Sequence, residues 1–311
     1  MKTLAAALCV MMLGGWFFLR PSAPIVEASG ADYVLSSFGE HGLGDGQLNT
    51  PRCAQPDGKG NCYVLDLSDR VQVFDMATGR FLRLWRLPGV RKGRPERLVF
   101  GPDGTLWIPD THYGRVLHYA PDGTLLDTFG QEGSGPGQMH YPLALVFLKD
   151  GRLALSEYGG NDRVQFFSPP DFLGAFGASG PEPGSFMRPQ GLTQGPDGNL
   201  YVADSSNQRI QVFSPEGRLL HLFGEAGQAS GRLSYPHDLA FDPKGRLVVC
   251  EYGSHRLSLW TPDGKWLGER GGLGTASGTL SNPWGLAMLE DGTVLVTNSN
   301  NHRIERWRLP D

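Results

Sequence analysis

From residue 33 onward, apolar residues come in bursts of four or five separated by turn formers. One stretch, residues 188–224, shows the pattern whole: "RPQGLTQGPDGNLYVADSSNQRIQVFSPEGRLLHLFG". Its apolar bursts predict four short strands: Gly191 to Gln194, Leu200 to Ala203, Arg209 to Phe213 and Leu219 to Phe223. Valine, isoleucine, phenylalanine and tyrosine dominate them, as expected for half-buried strands bounded by turns. Pro-Asp-Gly at 102–104 and 196–198 links first to second strands, and at 121–123 and 262–264 third to fourth. Proline presets φ for a type I turn and glycine accepts the left-handed conformation after it, so each triplet closes a short hairpin.

The pattern repeats. The prolines opening successive units are Pro51, Pro95, Pro142, Pro189, Pro236 and Pro283, spaced 44, 47, 47, 47 and 47 residues apart. An arginine opens the third strand of every unit: Arg70, Arg115, Arg163, Arg209, Arg256 and Arg303. A single four-stranded antiparallel sheet cannot cover both faces, whereas six packed radially cover each other, which predicts an all-β, six-bladed β-propeller. The last unit ends at Asp311, just after its third strand, Ile304 to Trp307. Its missing fourth strand is matched by Val34-Leu35-Ser36-Ser37-Phe38-Gly39 at the front. The N-terminal strand is therefore expected to complete the last blade and latch the ring.

"YVADSSNQRIQVF" at 201–213, preceded by "PQGL" at 189–192, resembles the NHL repeat, and the resemblance extends over residues 33 to 311. It implies a six-bladed propeller that most often serves as a binding or scaffolding surface, although the fold hosts enzymes as well.

In that topology the opening prolines, the ends of the second strands and the starts of the third share one side of the ring. The residue after each proline lies nearest the axis: Arg52, Glu96, Leu143, Gln190, His237 and Trp284. A purely structural ring tends toward repetition, so this variety marks Arg52, Glu96, Gln190, His237 and Trp284 as ligand-binding candidates. Trp and Arg are also the side chains most often found as binding anchors. A second ring carries acids at the ends of the second strands: Asp66, Asp110, Glu157, Asp204 and Glu251. The partner arginine follows four to six residues later, so Asp110–Arg115, Asp204–Arg209 and Glu251–Arg256 are expected as structural ion pairs. Asn298 breaks the series, a place where the pattern is free to serve something else.

Related propellers that act as amidating lyases place zinc-binding histidines at Pro-His positions in several blades. Here only His237 stands at such a position, and zinc needs three or more converging ligands. Lactonase-type propellers need a central cluster of oxygen ligands, for which the inner ring offers Glu96 and Gln190. No cofactor is therefore expected, and a metal-dependent lyase or lactonase with a divalent ion near His237 is kept as the alternative to a non-catalytic binder.

Net charge is −4 with a sequence pI near 6.1, which gives no global pull on nucleic acid. The chain has 44 glycines and 23 prolines among 311 residues, too many turn formers for a helical protein. Residues 80–97 are locally basic, and Arg91, Lys92 and Arg94 near the proline side are candidates for an anionic partner. Cys53 and Cys62 flank one hairpin and are candidates for a disulfide. Lys2 followed by an apolar run from Leu4 to Leu19 reads as a secretory signal, cut after Ala28, or as an uncleaved membrane anchor. Residues 1–28 are then the export segment and 29–311 the propeller, placed outside the cytoplasm as a periplasmic, secreted or membrane-anchored protein. The expected partner is a protein, peptide or glycan, not nucleic acid, with membrane contact only through the N-terminal segment.

Overall fold

The computed structural model describes residues 31–88, 93 and 95–310. The proposed export segment and Arg91, Lys92 and Arg94 lie outside these residues. Six four-stranded antiparallel sheets follow one another around a ring, at 51–86, 99–129, 142–176, 189–223, 236–271, and finally 286–308 joined by the N-terminal strand. We number these blades one to six. The four strands of blade four are Pro189–Gln194, Leu200–Asp204, Arg209–Phe213 and Leu219–Phe223, the first longer by two residues at its start and the second by one at its end than the sequence pattern indicates.

Six apolar clusters form the core, one between each pair of neighbouring blades. Strand alternation explains this placement, because successive side chains serve opposite faces of a blade and therefore different clusters. The cysteines of blade one obey the same rule. Cys53 pairs in register with Leu65 and Cys62 with Pro56, so their side chains enter different clusters, one toward blade two and one toward blade six. The expected Cys53–Cys62 disulfide is therefore corrected: both are buried free thiols, as is Cys250.

The ring closes as the sequence pattern requires. Val34–Phe38 pairs with the third strand of blade six, matching Ser37 with Glu305 and Phe38 with Ile304. Phe38 is 6% exposed and meets Phe74 of blade one at 5.1 Å between ring centroids. The front end thus binds last blade to first. Hairpins follow the expected chemistry: Gly198, at φ +84°, donates its N–H to the Gly195 carbonyl at 3.0 Å.

Candidate functional site

In blades one, four and five the residue after the opening proline is a bulge residue. Pro189 pairs with Asp204 and Gly191 with Ala203, leaving Gln190 as the extra residue. The same count isolates Arg52 in blade one and His237 in blade five. In blade six, Trp284 N–H donates to the Thr297 carbonyl at 3.1 Å, and Thr297 N–H donates to the Gly285 carbonyl at 2.9 Å. A bulge re-aims one side chain off the pleat. Repeated around the ring, it turns these side chains toward the axis.

A cavity of about 140 Å³ opens on the proline side between blades four, five and six. Gln190, His237 and Trp284 line it, together with Arg188, Tyr235 and Tyr252. Arg52 lies with its guanidinium carbon 3.4 Å from the Trp284 ring centroid. Glu96 acts electrostatically on Arg52 from the neighbouring blade and is not part of the lining. Tyr252 meets Trp284 edge-on at 5.5 Å. His237 Nδ1 lies 2.8 Å from the Trp284 carbonyl oxygen. A carbonyl only accepts, so Nδ1 carries the proton, and Nε2 is left as the lone-pair nitrogen of the neutral ring.

Sequence reasoning missed Arg188, Tyr235 and Tyr252. Arg188 and Tyr235 each precede an opening proline and have φ of +61° and +47°. Residues before proline favour extended backbone, and a left-handed non-glycine costs about 1–3 kcal/mol. Thr50, Tyr141 and Asn282 share the conformation, so it belongs to the repeat. Neighbouring side chains hold it. Arg188 N–H donates to Asp162 Oδ1 at 2.6 Å, Thr50 N–H to His302 Nδ1 at 3.0 Å and Asn282 N–H to His255 Nδ1 at 2.9 Å. The signal was in the sequence: the residues before the prolines also vary from blade to blade, and Arg and Tyr each stand there twice. Tyr252 follows the acid Glu251, where blades four and six have Ser205 and Ser299.

Burial dominates the electrostatics. It pushes the Glu96 carboxyl above its ordinary range, against the opposing charges of Arg52, Arg188 and His112. It lowers Arg52 despite the nearby Glu96. It also lowers His237 well below the ordinary imidazole value, and Arg97 adds to the shift. Arg52 Nε, Glu96 Oε2 and Gln190 Oε1 are buried with no hydrogen-bond partner among the described residues. Most buried polar groups are satisfied, so the orphaned acceptor of Gln190 on the cavity wall marks the cavity as a site prepared for a ligand or ordered water.

Beneath the ring of bulge residues the axis is plugged. Arg97 of blade two reaches Asp238 of blade five at 2.5 Å, with both side chains under 10% exposed. Asp238 also accepts the N–H groups of Leu239 at 2.8 Å and Leu286 at 2.9 Å. Burial opposes the charge on Arg97, and Asp238 more than restores it, so its pKa is raised. At the equivalent places in blades four and six stand Gly191 and Gly285. A Cβ on Gly191 would lie 3.0 Å from Asp238 Cα, and one on Gly285 3.0 Å from the Arg52 carbonyl oxygen. The pocket therefore has a floor.

The acid–arginine ring is placed as a set of braces. Arg115 Nε lies 2.8 Å from Asp110, Arg209 Nε 2.7 Å from Asp204, and Arg256 Nε 3.1 Å from Glu251. Arg209 also donates to the Glu182 and Ser185 carbonyls, while Asp204 accepts Met187 N–H, so this pair pins the loop from the preceding blade, as Arg256 does through the Gln228, Ala229 and Arg232 carbonyls. Asn298 corrects the expectation of a released position. It accepts Ser281 N–H and donates to the Thr279 carbonyl, doing half of the acid's work. The charge has moved to the third strand, where the wholly buried Glu305 pairs with Arg303 at 2.6 Å.

His237 has the wrong neighbours for a metal. Its Nδ1 is committed to a carbonyl, and beside it stand Gln190, Trp284, Tyr252 and cationic arginines. Among the described residues no three His, Cys, Asp or Glu side chains converge on one point.

Fold and repeat together define the class: this is a six-bladed β-propeller whose last three blades carry NHL repeats. Residues 186–213, 233–258 and 280–307, in the last three blades, match the NHL repeat. Human NHL repeat-containing protein 3 is 33% identical over 85 residues, 27% of this chain and 24% of that protein, so the match spans about a quarter of the relative. Among solved structures, the gluconolactonase XC5397 of Xanthomonas campestris superposes with a TM-score of 0.66 at 15% identity, covering 94% of this chain and 99% of its own. Virginiamycin B lyase of Staphylococcus aureus gives 0.62 at 17% identity, covering 92% and 98%. At such identities the likeness is one of fold, and it accommodates binders and enzymes alike.

Proposed function

We propose that this propeller is a non-catalytic binding or scaffold protein acting outside the cytoplasm. Its proline-side face receives a protein, peptide or glycan ligand and admits one group of that ligand to the central pocket. The observation carrying this reading is Gln190: it is 2% exposed, it sits on a bulge that aims it at the cavity, and its amide oxygen has no partner. Leaving a buried acceptor unmade costs about 1–3 kcal/mol, a cost a ligand donor would relieve. A volume of about 140 Å³ is below the roughly 300–1,000 Å³ of pockets that enclose whole small molecules. It suits one side chain or one sugar-sized group entering from a larger ligand.

Affinity capture from the native source with wild type, Trp284→Ala and Gln190→Ala tests this reading. A partner held by wild type and lost from both variants supports it. Equal capture by all three removes the pocket from recognition. The second reading, an enzyme, draws on the lyase and gluconolactonase folds above and on His237, an imidazole in the lining of the same cavity. Stoichiometric metal in the purified protein, lost on His237→Ala, would favour it.

A further inference from the structure

The arginines of the third-strand ring, the axis and the pocket divide by their partners. The six that open third strands each have an acid partner, and Arg97 has Asp238. Arg52 and Arg188, at the pocket, have no carboxylate within ion-pair distance among the described residues. Both are instead laid on aromatic rings: Arg52 on Trp284 at 3.4 Å and Arg188 over Tyr158 at 5.0 Å. A guanidinium lying on a ring is held in orientation while its N–H edges stay available, and those edges match a carboxylate in a two-pronged geometry. Arg52 Nε is already buried without a partner. The amide of Gln190, whose oxygen and nitrogen ends are interchangeable by a flip, supplies a further donor at the cavity wall. Tyr235, Tyr252 and Trp284 give apolar walls to whatever carries the acid.

We propose that the pocket is a carboxylate-recognition site, taking an acidic group of a peptide ligand between Arg52 and Arg188 with its apolar body against Trp284 and Tyr252. This deepens the binding reading above and rests on it. The acid comes either from the free carboxy-terminus of the peptide or from an Asp or Glu side chain. Glu96, set close to both arginines electrostatically, is the internal competitor: it tempers the positive field before a ligand arrives and opposes the incoming charge.

Four probes separate the cases: N-acetyl-phenylalanine, its amide, the α-amide of N-acetyl-glutamate, and N-acetyl-glutamine amide. Binding is followed by NMR through the Trp284 indole N–H, assigned with Trp284→Phe. The proposal expects at least one acid to bind about tenfold or more tightly than its neutral counterpart, a difference of roughly 1.4 kcal/mol. The free α-carboxylate winning identifies a carboxy-terminus, and the glutamate amide winning identifies a side chain. Arg188→Met, a substitution at an exposed position, should bring acid and amide to the same affinity, and Glu96→Gln should tighten acid binding several-fold. Equal binding of acids and amides in wild type overturns the carboxylate assignment and leaves the pocket as a binding site. Absence of binding by all four probes removes both. Weaker acid binding in folded Glu96→Gln would also overturn the assignment, since removal of a competitor cannot weaken its rival.

Discussion

Replacing Asp238 with asparagine tests whether the axis is closed by charge. The substitution keeps the shape of the side chain and removes its charge from a position 2.5 Å from the Arg97 guanidinium. Both partners are buried, and the carboxylate accepts two backbone N–H groups besides the arginine. A buried cation would then face an amide dipole in place of its counter-ion. Breaking a buried pair from one side costs about 3–5 kcal/mol, against total stabilities of about 5–15 kcal/mol for folded domains. For a propeller of this size that corresponds to a melting temperature lower by about 5–10 °C. Removing both charges tells a different story. Arg97→Met with Asp238→Leu leaves no orphaned ion, and such apolar replacements are often neutral or stabilising. The Leu239 and Leu286 N–H groups lose this acceptor, so the double variant should still fall short of wild type, by about 1–3 kcal/mol for each left unmade. Urea unfolding followed by circular dichroism compares wild type, Asp238→Asn and the double variant. A single-variant loss below about 1 kcal/mol would mean that the pair is hydrated and the floor of the pocket open, and the reasoning would fail.

Phe38→Ala should cost about 3–5 kcal/mol in the same assay, because the ring fills the seam between last and first blades; a loss under about 1 kcal/mol would show that the front strand does not hold the circle shut. Stability should fall as pH drops below about 6.5. Burial lowers His237, His255 and His302 in the folded state, so the unfolded chain takes up protons first and gains from each. His255 and His302 must also surrender an accepted N–H bond on protonation at Nδ1. The variant His255→Asn with His302→Asn should flatten this slope, and an unchanged slope would assign it elsewhere. Cys53, Cys62 and Cys250 are buried, and burial raises all three thiols, so a thiol reagent should label none of them in the native protein and all of them after denaturation.

What the sequence made legible was whatever it repeats. The 47-residue step located every blade, the turn chemistry and the closing strand, because each unit solves the same packing problem. Of the residues after the opening prolines, Gln190, His237 and Trp284 line the cavity, a constant position in the repeat brought to one face. The site lay in the departures from that repetition, and only some of these were visible from a single position. Arg97 and Asp238 stand at the same place in their repeats and are 141 residues apart, three periods of 47. In a ring of six, three periods is a diameter, so opposite charges there must meet across the axis or remain unpaired. Four small residues, Cys53, Ala144, Gly191 and Gly285, hold the remaining places, and they are small because the pair fills the centre.

Glu305 shows why other departures stayed hidden. Its charge took over the work of an acid from a neighbouring strand, and a position-by-position comparison registers that only as a loss at Asn298. The walls of the pocket were obscured differently. Arg188 and Tyr235 line the cavity from a left-handed turn that pre-proline chemistry disfavours, and for Arg188 the neighbouring blade sustains it, Asp162 accepting its N–H. That support crosses between repeats, so no single repeat can display it. The useful rule is geometric. In a closed ring, a residue's function depends on the residues one and three periods away, and the pocket and its floor are built at those two distances.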